Sequence, residues 1–178
     1  MNDQSHITLP FTLTRRHLLI GAVVTGGLAA CSFLRPHAAA DPATQPPGQF
    51  AVTHTDAEWH QLLNAQQYRV LRQAGTELPY TSALNDEHRN GIFGCAGCNL
   101  DLFDSKTKFD SGTGWPSFFK ALVNAVLERS DHSLLGTDRT EVLCRQCGGH
   151  LGHVFDDGPQ PTGLRYCMNG VALTFRAT

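Results

Sequence analysis

The chain has 178 residues, which is enough for one or two domains. Hydrophobic residues make up 41% of it and charged residues 17%, a balance that excludes an intrinsically disordered chain. The formal net charge of −2 excludes the basic footprint that is typical of proteins binding nucleic acid or acidic lipid headgroups.

Residues 1–30 have the features of an export signal. Two consecutive arginines precede an uncharged apolar run over 18–30. A membrane-spanning helix needs about 20 apolar residues, so this shorter run predicts a cleaved signal of the twin-arginine type. The letters LAAC at 28–31 resemble a lipoprotein cleavage site, which predicts that Cys31 carries lipid and anchors a periplasmic protein to the membrane. A plain secretory signal cut after Ala40 is the alternative.

The segment 31–49 separates this signal from the rest of the chain. It is rich in proline and alanine and shows neither a helical nor a strand period, which predicts a flexible tether without a core of its own. The remaining residues, 50–178, are enough for one compact domain. Any chemistry is therefore expected in that domain.

The domain is predicted to begin with two short helices. A threonine and a glutamate at 55 and 58 have the spacing of a capping box, and Asn64 caps a second helix that ends at Gly75. The predicted apolar residues of the two helices are Trp59, Leu62, Leu63, Tyr68, Val70 and Leu71. Beyond them, glycine and proline separate short predicted strands, among them 91–93, 141–143 and 164–175. This pattern predicts a mainly antiparallel β domain.

Two Cys-x-x-Cys pairs, Cys95 with Cys98 and Cys144 with Cys147, carry the strongest chemical signal. Each pair is typical of a knuckle, a tight turn that aims two sulfur atoms at one point. Four thiolates form the tetrahedral set that suits a structural zinc ion. The stretch 99–143 is longer than in a compact zinc ribbon, so it predicts substantial structure between the knuckles. Disulfides or a redox-active Cys-x-x-Cys pair are the alternatives in an oxidising compartment.

With four cysteines assigned to a metal and Cys31 to lipid, Cys167 is left as the free thiol of the domain. It lies in a predicted strand over 165–173, where side chains two residues apart share a face. Arg165, Cys167 and Asn169 are therefore expected on one face. There the guanidinium would lower the pKa of the thiol, and the amide would donate a hydrogen bond. A buried structural cysteine is the alternative.

Three further features could serve the same site. His150 and His153 lie in a glycine-rich segment, where imidazoles could act as general acids, orient a substrate or bind a metal. Asp156 and Asp157 lie in a predicted turn, and either could orient a histidine. Trp115 is held extended by the proline after it and could form the apolar wall of a pocket or pack in the core.

Together these motifs resemble the methionine-R-sulfoxide reductases, the B-type methionine sulfoxide reductase family. The resemblance covers about residues 54–176 and is carried by the segments 59–77, 95–98, 108–118 and 144–175. It implies two antiparallel sheets in a tent-like arrangement with short N-terminal helices. It also implies one structural zinc ion, remote from the active site, on the four paired cysteines.

The resemblance further implies how methionine-R-sulfoxide, free or in proteins, is reduced to methionine. The thiolate of Cys167 attacks the sulfoxide sulfur, methionine leaves, and a sulfenic acid remains on the cysteine. The residues that bind and protonate the sulfoxide oxygen in this scheme are His150, His153 and Asn169. Trp115 would hold the substrate methyl group, and the residues that would position the histidines and the thiolate are Asp157 and Arg165. The expected role is the repair of oxidised exported proteins.

The chain departs from the family pattern at one position. Many members carry a second, resolving cysteine where Thr113 stands here. The sulfenic acid is therefore predicted to be reduced directly by an external small thiol or a thioredoxin-like protein. Two hypotheses from other classes compete with this one. The chain could be a lipid-anchored zinc module that binds a protein partner without chemistry, or a thiol–disulfide oxidoreductase that uses a Cys-x-x-Cys pair.

Overall fold

Two antiparallel sheets pack against each other in the computed structural model, which describes residues 50–134 and 137–178. The predicted export signal at 1–30, the tether at 31–49 and the lipidation candidate Cys31 lie outside the described residues. Within the described residues, no helix has the length and apolar character needed to cross a membrane.

Two short helices precede the sheets, α1 (Asp56–Leu62) and α2 (Ala65–Gln73). Both begin with the predicted cap. The side chains of Thr55 and Asn64 each accept a hydrogen bond from the backbone N–H three residues later, and the side chain at that later position bonds back to the N–H of the cap. These reciprocal bonds fix where each helix starts.

The apolar side of α1 is narrower than predicted. Trp59 and Leu63 are buried, but Leu62 is 58% exposed. The helix has seven residues, slightly less than two turns, so residues four apart share its inner face and the residue between them turns away. In α2, Val70 and Leu71 are both buried, as the sequence pattern predicts.

Nine strands form the two sheets of the described residues: β1 (Gly91–Cys95), β2 (Asp101–Asp104), β3 (Lys108–Phe109), β4 (Ser117–Phe118), β5 (Val126–Asp131), β6 (Arg139–Cys144), β7 (His150–Phe155), β8 (Arg165–Met168) and β9 (Leu173–Ala177). The smaller sheet has the order β2–β1–β9, and the larger has the order β3–β4–β8–β7–β6–β5. All pairings are antiparallel. The predicted fold class, mainly β with two antiparallel sheets and short N-terminal helices, is confirmed.

The predicted strand over 164–175 is wrong in one respect, because it is two strands with a 3₁₀ turn, Gly170–Ala172, between them. The first two N–H groups of that turn donate to the carboxylate of Glu77 and not to a neighbouring strand. The ladder of β8 therefore ends at Met168, and Asn169 lies just beyond it.

Aromatic side chains from both sheets form the centre of the core. Phe93 and Phe103, from the smaller sheet, lie with their ring centroids 4.9 Å and 4.4 Å from that of Phe118 in β4. Tyr166 in β8 lies 5.7 Å from Phe103. Side chains alternate between the two faces of a strand, so Cys167 points away from this aromatic core. The outer face of the larger sheet is therefore where the free thiol lies.

Candidate active site and metal centre

The four predicted metal ligands come together at the ends of two strands from different sheets. Cys95 ends β1 and Cys144 ends β6, and the second cysteine of each pair follows in the next turn. The sulfur of Cys95 lies 3.7 Å from that of Cys147, and the sulfur of Cys98 lies 3.5 Å from that of Cys144. All four lie within 4.8 Å of one another. The cluster thus joins the smaller sheet to the larger one.

The spacing of the sulfur atoms fits a metal site. A disulfide holds its sulfurs about 2.0 Å apart. Four sulfurs bound tetrahedrally at about 2.3 Å from one ion lie about 3.8 Å from each other. The five cysteines of the described residues are all free. The two sulfur–sulfur distances given above, 3.7 Å and 3.5 Å, are close to the tetrahedral value and far from that of a disulfide. These four thiolates could hold a metal ion.

Two loops of the same design hold the pairs. The residue after the second cysteine, Asn99 in one loop and Gly148 in the other, has a left-handed backbone with φ of 61° and 67°. Its N–H donates to the carbonyl of the first cysteine, at 2.8 Å and 2.9 Å. Asparagine accepts this conformation in the first loop, but position 148 requires glycine because a Cβ atom there would lie 2.2 Å from the ring of Phe50.

A second sulfur site lies in a cavity on the outer face of the larger sheet. The volume of this catalytic-cavity candidate is about 150 Å³. Its lining residues are Thr76, Trp115, Arg139, Gly152, His153, Phe155, Cys167 and Asn169. The cavity therefore brings together four of the predicted site residues: Cys167, His153, Asn169 and Trp115. Three others do not line it: His150, Asp157 and Arg165.

Strand register places the thiol between a hydroxyl and an imidazole. Ser117 in β4 and His153 in β7 are the direct cross-strand partners of Cys167. The same row continues to Glu141 in β6 and Arg129 in β5. Residues directly opposite each other in antiparallel strands point to the same face, with Cβ atoms about 4.5–5.5 Å apart. The sheet thus aligns five polar side chains in one row.

Burial raises the pKa of the Cys167 thiol and outweighs the lowering predicted from Arg165. The guanidinium of Arg165 does act in the expected direction, as do the hydroxyls of Thr113 and Ser117. The Oγ1 atom of Thr113 lies 3.8 Å from the sulfur. Together these groups offset only part of the cost of desolvating a thiolate between two buried neighbours in β8.

Asp157 binds Arg165 and not a histidine, so the expectation that this aspartate orients a histidine does not hold. Its two oxygens accept hydrogen bonds from Nε and Nη2 of Arg165, both at 2.8 Å. The guanidinium also lies over the ring of Phe155, 4.4 Å from the centroid. The cause is the strand register, because Phe155 pairs with Arg165 and the turn after it carries Asp157 to the same end of β8.

The carboxylates that hold the two histidines are Asp131 and Glu141. Oδ2 of Asp131 lies 2.8 Å from Nε2 of His153, and Oε1 of Glu141 lies 2.7 Å from Nδ1 of His150. Hydrogen bonds from Ser133 and His153 lower the pKa of Asp131. The pKa of Glu141 is also below its ordinary value, since hydrogen bonds outweigh the effect of its burial. An ionised carboxylate only accepts, so each of these ring nitrogens carries a proton.

The two histidines differ in their access to the cavity. His153 is half-buried and lines it, whereas His150 is 3% exposed and does not. The ring centroids are 5.4 Å apart, with one edge toward the other face. Burial lowers the pKa of His153, although Asp131 acts in the opposite direction, so its ring is neutral at neutral pH. Within the described residues, Nε2 of His150 has no hydrogen-bond partner.

Glu77 connects the other two predicted cavity residues. Its backbone N–H donates to Oδ1 of Asn169 at 2.9 Å, and its carbonyl accepts a hydrogen bond from Nε1 of Trp115 at 3.2 Å. Its carboxylate accepts hydrogen bonds from the N–H groups of Gly170 and Val171. Burial raises the pKa of this carboxyl, and the two backbone hydrogen bonds oppose the rise. One residue outside the sheets thus positions both the indole and the amide.

Sequence reasoning does not identify the acidic residues that hold the site together. Glu141 lies two residues after Arg139 in β6, so the two charged side chains share a face. Charged residues this close to the buried Cys144 indicate that the same face carries polar partners for them. Asp131 pairs with Arg139 across the β5–β6 hairpin, which only the register reveals. For Glu77 the sequence offers no local signal, because its partner Asn169 is far along the chain.

Comparisons with known proteins find one family. Residues 63–177 match the SelR domain. A peptide methionine sulfoxide reductase MsrB from Leptospira interrogans is 49% identical over 127 residues, which are 71% of this chain and 97% of that protein. Proteins of the same name from Leifsonia xyli and Thiobacillus denitrificans are 52% and 56% identical. Those matches cover 72% and 68% of this chain, and 94% and 92% of the relatives.

Proposed function

The chain belongs to the SelR-domain family of MsrB-type peptide methionine sulfoxide reductases, and we propose that its catalytic cavity reduces the R epimer at Cys167. As a member of this family it is an oxidoreductase that acts on oxidised methionine in peptides and proteins. The observation that carries the proposal is the place of Cys167. Among the described residues, it is the one thiol outside the metal cluster, and it lies beside an imidazole in a cavity.

The proposed reaction transfers the sulfoxide oxygen to the thiol. The thiolate of Cys167 attacks the sulfoxide sulfur while the oxygen takes up a proton. This attack forms a bond between the two sulfur atoms. As the oxygen moves to the cysteine sulfur, that bond and the S–O bond of the substrate both break, methionine leaves, and the oxygen becomes the hydroxyl of a sulfenic acid on the cysteine. The cysteine sulfur loses two electrons and the methionine sulfur gains them. Thr113 and Arg165 would stabilise the thiolate that begins this sequence.

His153 and Asn169 are the groups best placed to bind the sulfoxide oxygen. The amide of Asn169 donates one N–H to the carbonyl of Leu151 at 3.1 Å, which leaves its second N–H for the oxygen. His153 uses its Nε2–H to bind Asp131, so Nδ1 is the nitrogen that would accept the proton of the Cys167 thiol and pass it to the sulfoxide oxygen. The carboxylate of Asp131 would stabilise the imidazolium that forms between these two transfers. His150 would act indirectly, by packing its buried ring against that of His153.

Trp115 would hold the methyl group of the substrate. Its ring is half-buried in the cavity wall, and the hydrogen bond from Nε1 to Glu77 fixes its orientation. A sulfoxide sulfur carries an oxygen, a methyl group and the rest of the side chain. A pocket that binds the oxygen at Asn169 and the methyl group at Trp115 therefore accepts one epimer. We assign the R epimer on the family resemblance.

We propose that Cys95, Cys98, Cys144 and Cys147 bind one zinc ion. Four thiolates at nearly tetrahedral spacing are the donor set that zinc prefers in closed structural sites. Such an ion stabilises the fold where the two sheets meet and takes no part in the reduction.

We also propose that an external thiol regenerates the enzyme. The sulfenic acid on Cys167 and two external thiols give the free cysteine, one disulfide and water, with a small thiol or a thioredoxin-like protein as the reductant. Mass spectrometry after one equivalent of substrate tests this. In the wild type a dimedone adduct is expected on Cys167, whereas Thr113→Cys places a thiol close enough for a disulfide. A disulfide to Cys167 in the wild type would contradict the proposal.

Export and lipid attachment are proposed from residues 1–49 alone. A twin-arginine signal followed by acylation at Cys31 would deliver the enzyme to the periplasmic face of a membrane, where it would repair oxidised exported proteins. The intact mass of the protein isolated from the membrane fraction reports both events. A mass that corresponds to cleavage after Ala40 without lipid would contradict the anchor.

The catalytic proposal is tested with dabsylated methionine sulfoxide of each epimer and dithiothreitol as reductant. The wild type is expected to reduce the R epimer, and Cys167→Ser to lose at least about 10³-fold in rate. Cys31→Ser is the matched control and should keep full activity. Activity that survives Cys167→Ser but disappears in a folded Cys95→Ser protein would instead support a thiol–disulfide oxidoreductase. Inactivity of the folded, metal-loaded wild type would support the binding module.

A further inference from the structure

A larger cavity, which we name the flanking cavity, adjoins the catalytic cavity. Its volume is about 390 Å³, and it lies between α2 and the segment 76–81. The two cavities share Thr76, and Glu77, which holds the walls of the catalytic cavity, also lines the flanking cavity. A polypeptide whose oxidised methionine occupied the catalytic cavity would lay its neighbouring residues on an adjoining surface of this kind.

Two charged side chains line the flanking cavity, Arg69 and Glu77. Arg69 of α2 is exposed on its edge and has no ion-pair partner within 50–134 and 137–178. Its stem runs over Gly75, where an added Cβ atom would lie only 2.9 Å from its Cγ. The other charged lining residue is Glu77, and both of its carboxylate oxygens already accept backbone hydrogen bonds. The unpaired guanidinium therefore complements an acid.

The rest of the flanking cavity is partly apolar. Leu78 lines the cavity and is 73% exposed, so its side chain is accessible to a bound segment. Val70 and Val171 also line the cavity, and both are less exposed than Leu78. Such a mixture of apolar area with one cation suits a short peptide segment that carries an apolar and an acidic side chain.

We propose that the flanking cavity binds the residues next to the oxidised methionine in a polypeptide, and that Arg69 favours an acidic residue there. This inference rests on the proposed function and deepens it, because it selects, among the oxidised peptides that the family reduces, those with an acidic residue beside the methionine. Free methionine sulfoxide would use the catalytic cavity alone.

The test compares peptides with a blocked single residue. Blocked pentapeptides carry methionine sulfoxide with Glu, Gln or Lys as its neighbour on either side, and N-acetyl-methionine sulfoxide methylamide is the small reference. The wild type should have a KM for the Glu peptide about 2- to 5-fold below that for the Gln peptide, as expected for one exposed ion pair. Arg69→Gln should abolish this preference, and Arg69→Glu should reverse it toward the Lys peptide.

The controls separate charge from other effects. The exposed Lys120 lines neither cavity, so Lys120→Gln should retain the wild-type preference. The kcat values and the KM for the small reference should be unchanged in all Arg69 variants. The preference should also shrink as salt is raised to about 0.5 M, because exposed charges are screened. Leu78→Asn should raise the KM for every peptide a few-fold and leave that for the small reference unchanged.

Two failures are distinguishable. If the wild type reduces neither the small reference nor any of the peptides, the proposed function itself is wrong. If it reduces the reference but the wild type and Arg69→Glu have the same KM for the Glu, Gln and Lys peptides, the flanking cavity has no role in substrate choice.

Discussion

The protein contains two sulfur sites that are built in opposite ways. The metal cluster consists of four cysteines, and two loops with the same backbone geometry hold them. The catalytic cavity surrounds a single thiol with different groups, including an imidazole, an amide and an indole, and draws them from separate elements. Four equivalent thiolates suit a tetrahedral metal ion, whereas a thiol that reacts with a substrate needs several different neighbours.

The two sites also treat the sulfur differently. The cluster lies where β1 and β6 end, so that any ion it holds connects the two sheets. Cys167 lies in mid-strand on the face opposite the core, where its sulfur remains accessible from the cavity. Substitutions in the cluster are therefore expected to change stability first, and substitutions in the cavity to change rate while the fold persists.

The largest effect is expected from Cys144→Ser. Loss of one of four ligands should release the metal, whose binding to such sites contributes on the order of 10 kcal/mol to folding, comparable to the whole stability of a domain. Zinc content and thermal unfolding by circular dichroism measure this. Cys167→Ser is the matched control, and it should keep the metal and unfold at the wild-type temperature. A folded, metal-free Cys144→Ser protein of normal stability would remove the distinction between the sites.

The next largest effect is expected from His153→Gln. Glutamine still accepts and donates hydrogen bonds but cannot transfer a proton, so kcat should fall by about 10²–10⁴-fold. The unfolding temperature and the metal content should stay unchanged. Single-turnover formation of the sulfenic acid isolates the affected step. Asp131→Asn should have a smaller effect on the same step, because it removes only the partner of Nε2. Equal rates for the wild type and His153→Gln would exclude the imidazole from catalysis.

A moderate effect on both properties is expected from Glu77→Ala. The change leaves two backbone N–H groups without their acceptor and loosens the turn after Asn169. We expect a loss of about tenfold in kcat/KM, with a destabilisation of about 1–3 kcal/mol. Glu77→Gln retains an acceptor oxygen and should lose less of each. If Glu77→Ala changed stability alone, the residue would not position the catalytic groups.

The smallest effect concerns the pKa of Cys167. Burial places this pKa above its ordinary value, so the thiol is protonated at neutral pH and its thiolate fraction rises about tenfold per pH unit from pH 7 upward. Iodoacetamide should therefore alkylate Cys167 with that pH dependence, while metal-bound cysteines stay protected. Arg165→Gln removes a group that lowers the pKa, so its alkylation rate at pH 8 should fall by less than about tenfold. Arg176→Gln, on β9, should leave the rate unchanged.

The same contrast explains how much could be predicted from the sequence. The cluster is encoded locally, because each Cys-x-x-Cys pair with a following Asn99 or Gly148 forms its own loop. The cavity is encoded by strand pairing. Residue type and alternation suffice to select Cys167 and His153, but the partner of His153 is Asp131, and only the β5–β6 register reveals it.

The direction of the pKa shift of Cys167 could not be predicted from the sequence for a related reason. Arg165 is two residues from Cys167 and lowers the pKa of the thiol, as its position predicts. The larger effect is desolvation, which depends on everything packed around the sulfur. Similarly, Asn169 reaches the cavity although its strand ends one residue earlier, because Glu77 holds it from a distant segment.

The row of side chains that crosses five strands also limits how the gene can vary. Ser117, Cys167, His153, Glu141 and Arg129 are aligned by residue count along their strands. A single codon inserted or deleted within β7 or β8 would turn every later side chain of that strand to the opposite face, and so part the thiol from the imidazole without altering either residue. Insertions and deletions are therefore tolerable in the connections between strands, whereas within a strand they would separate the residues of the active site.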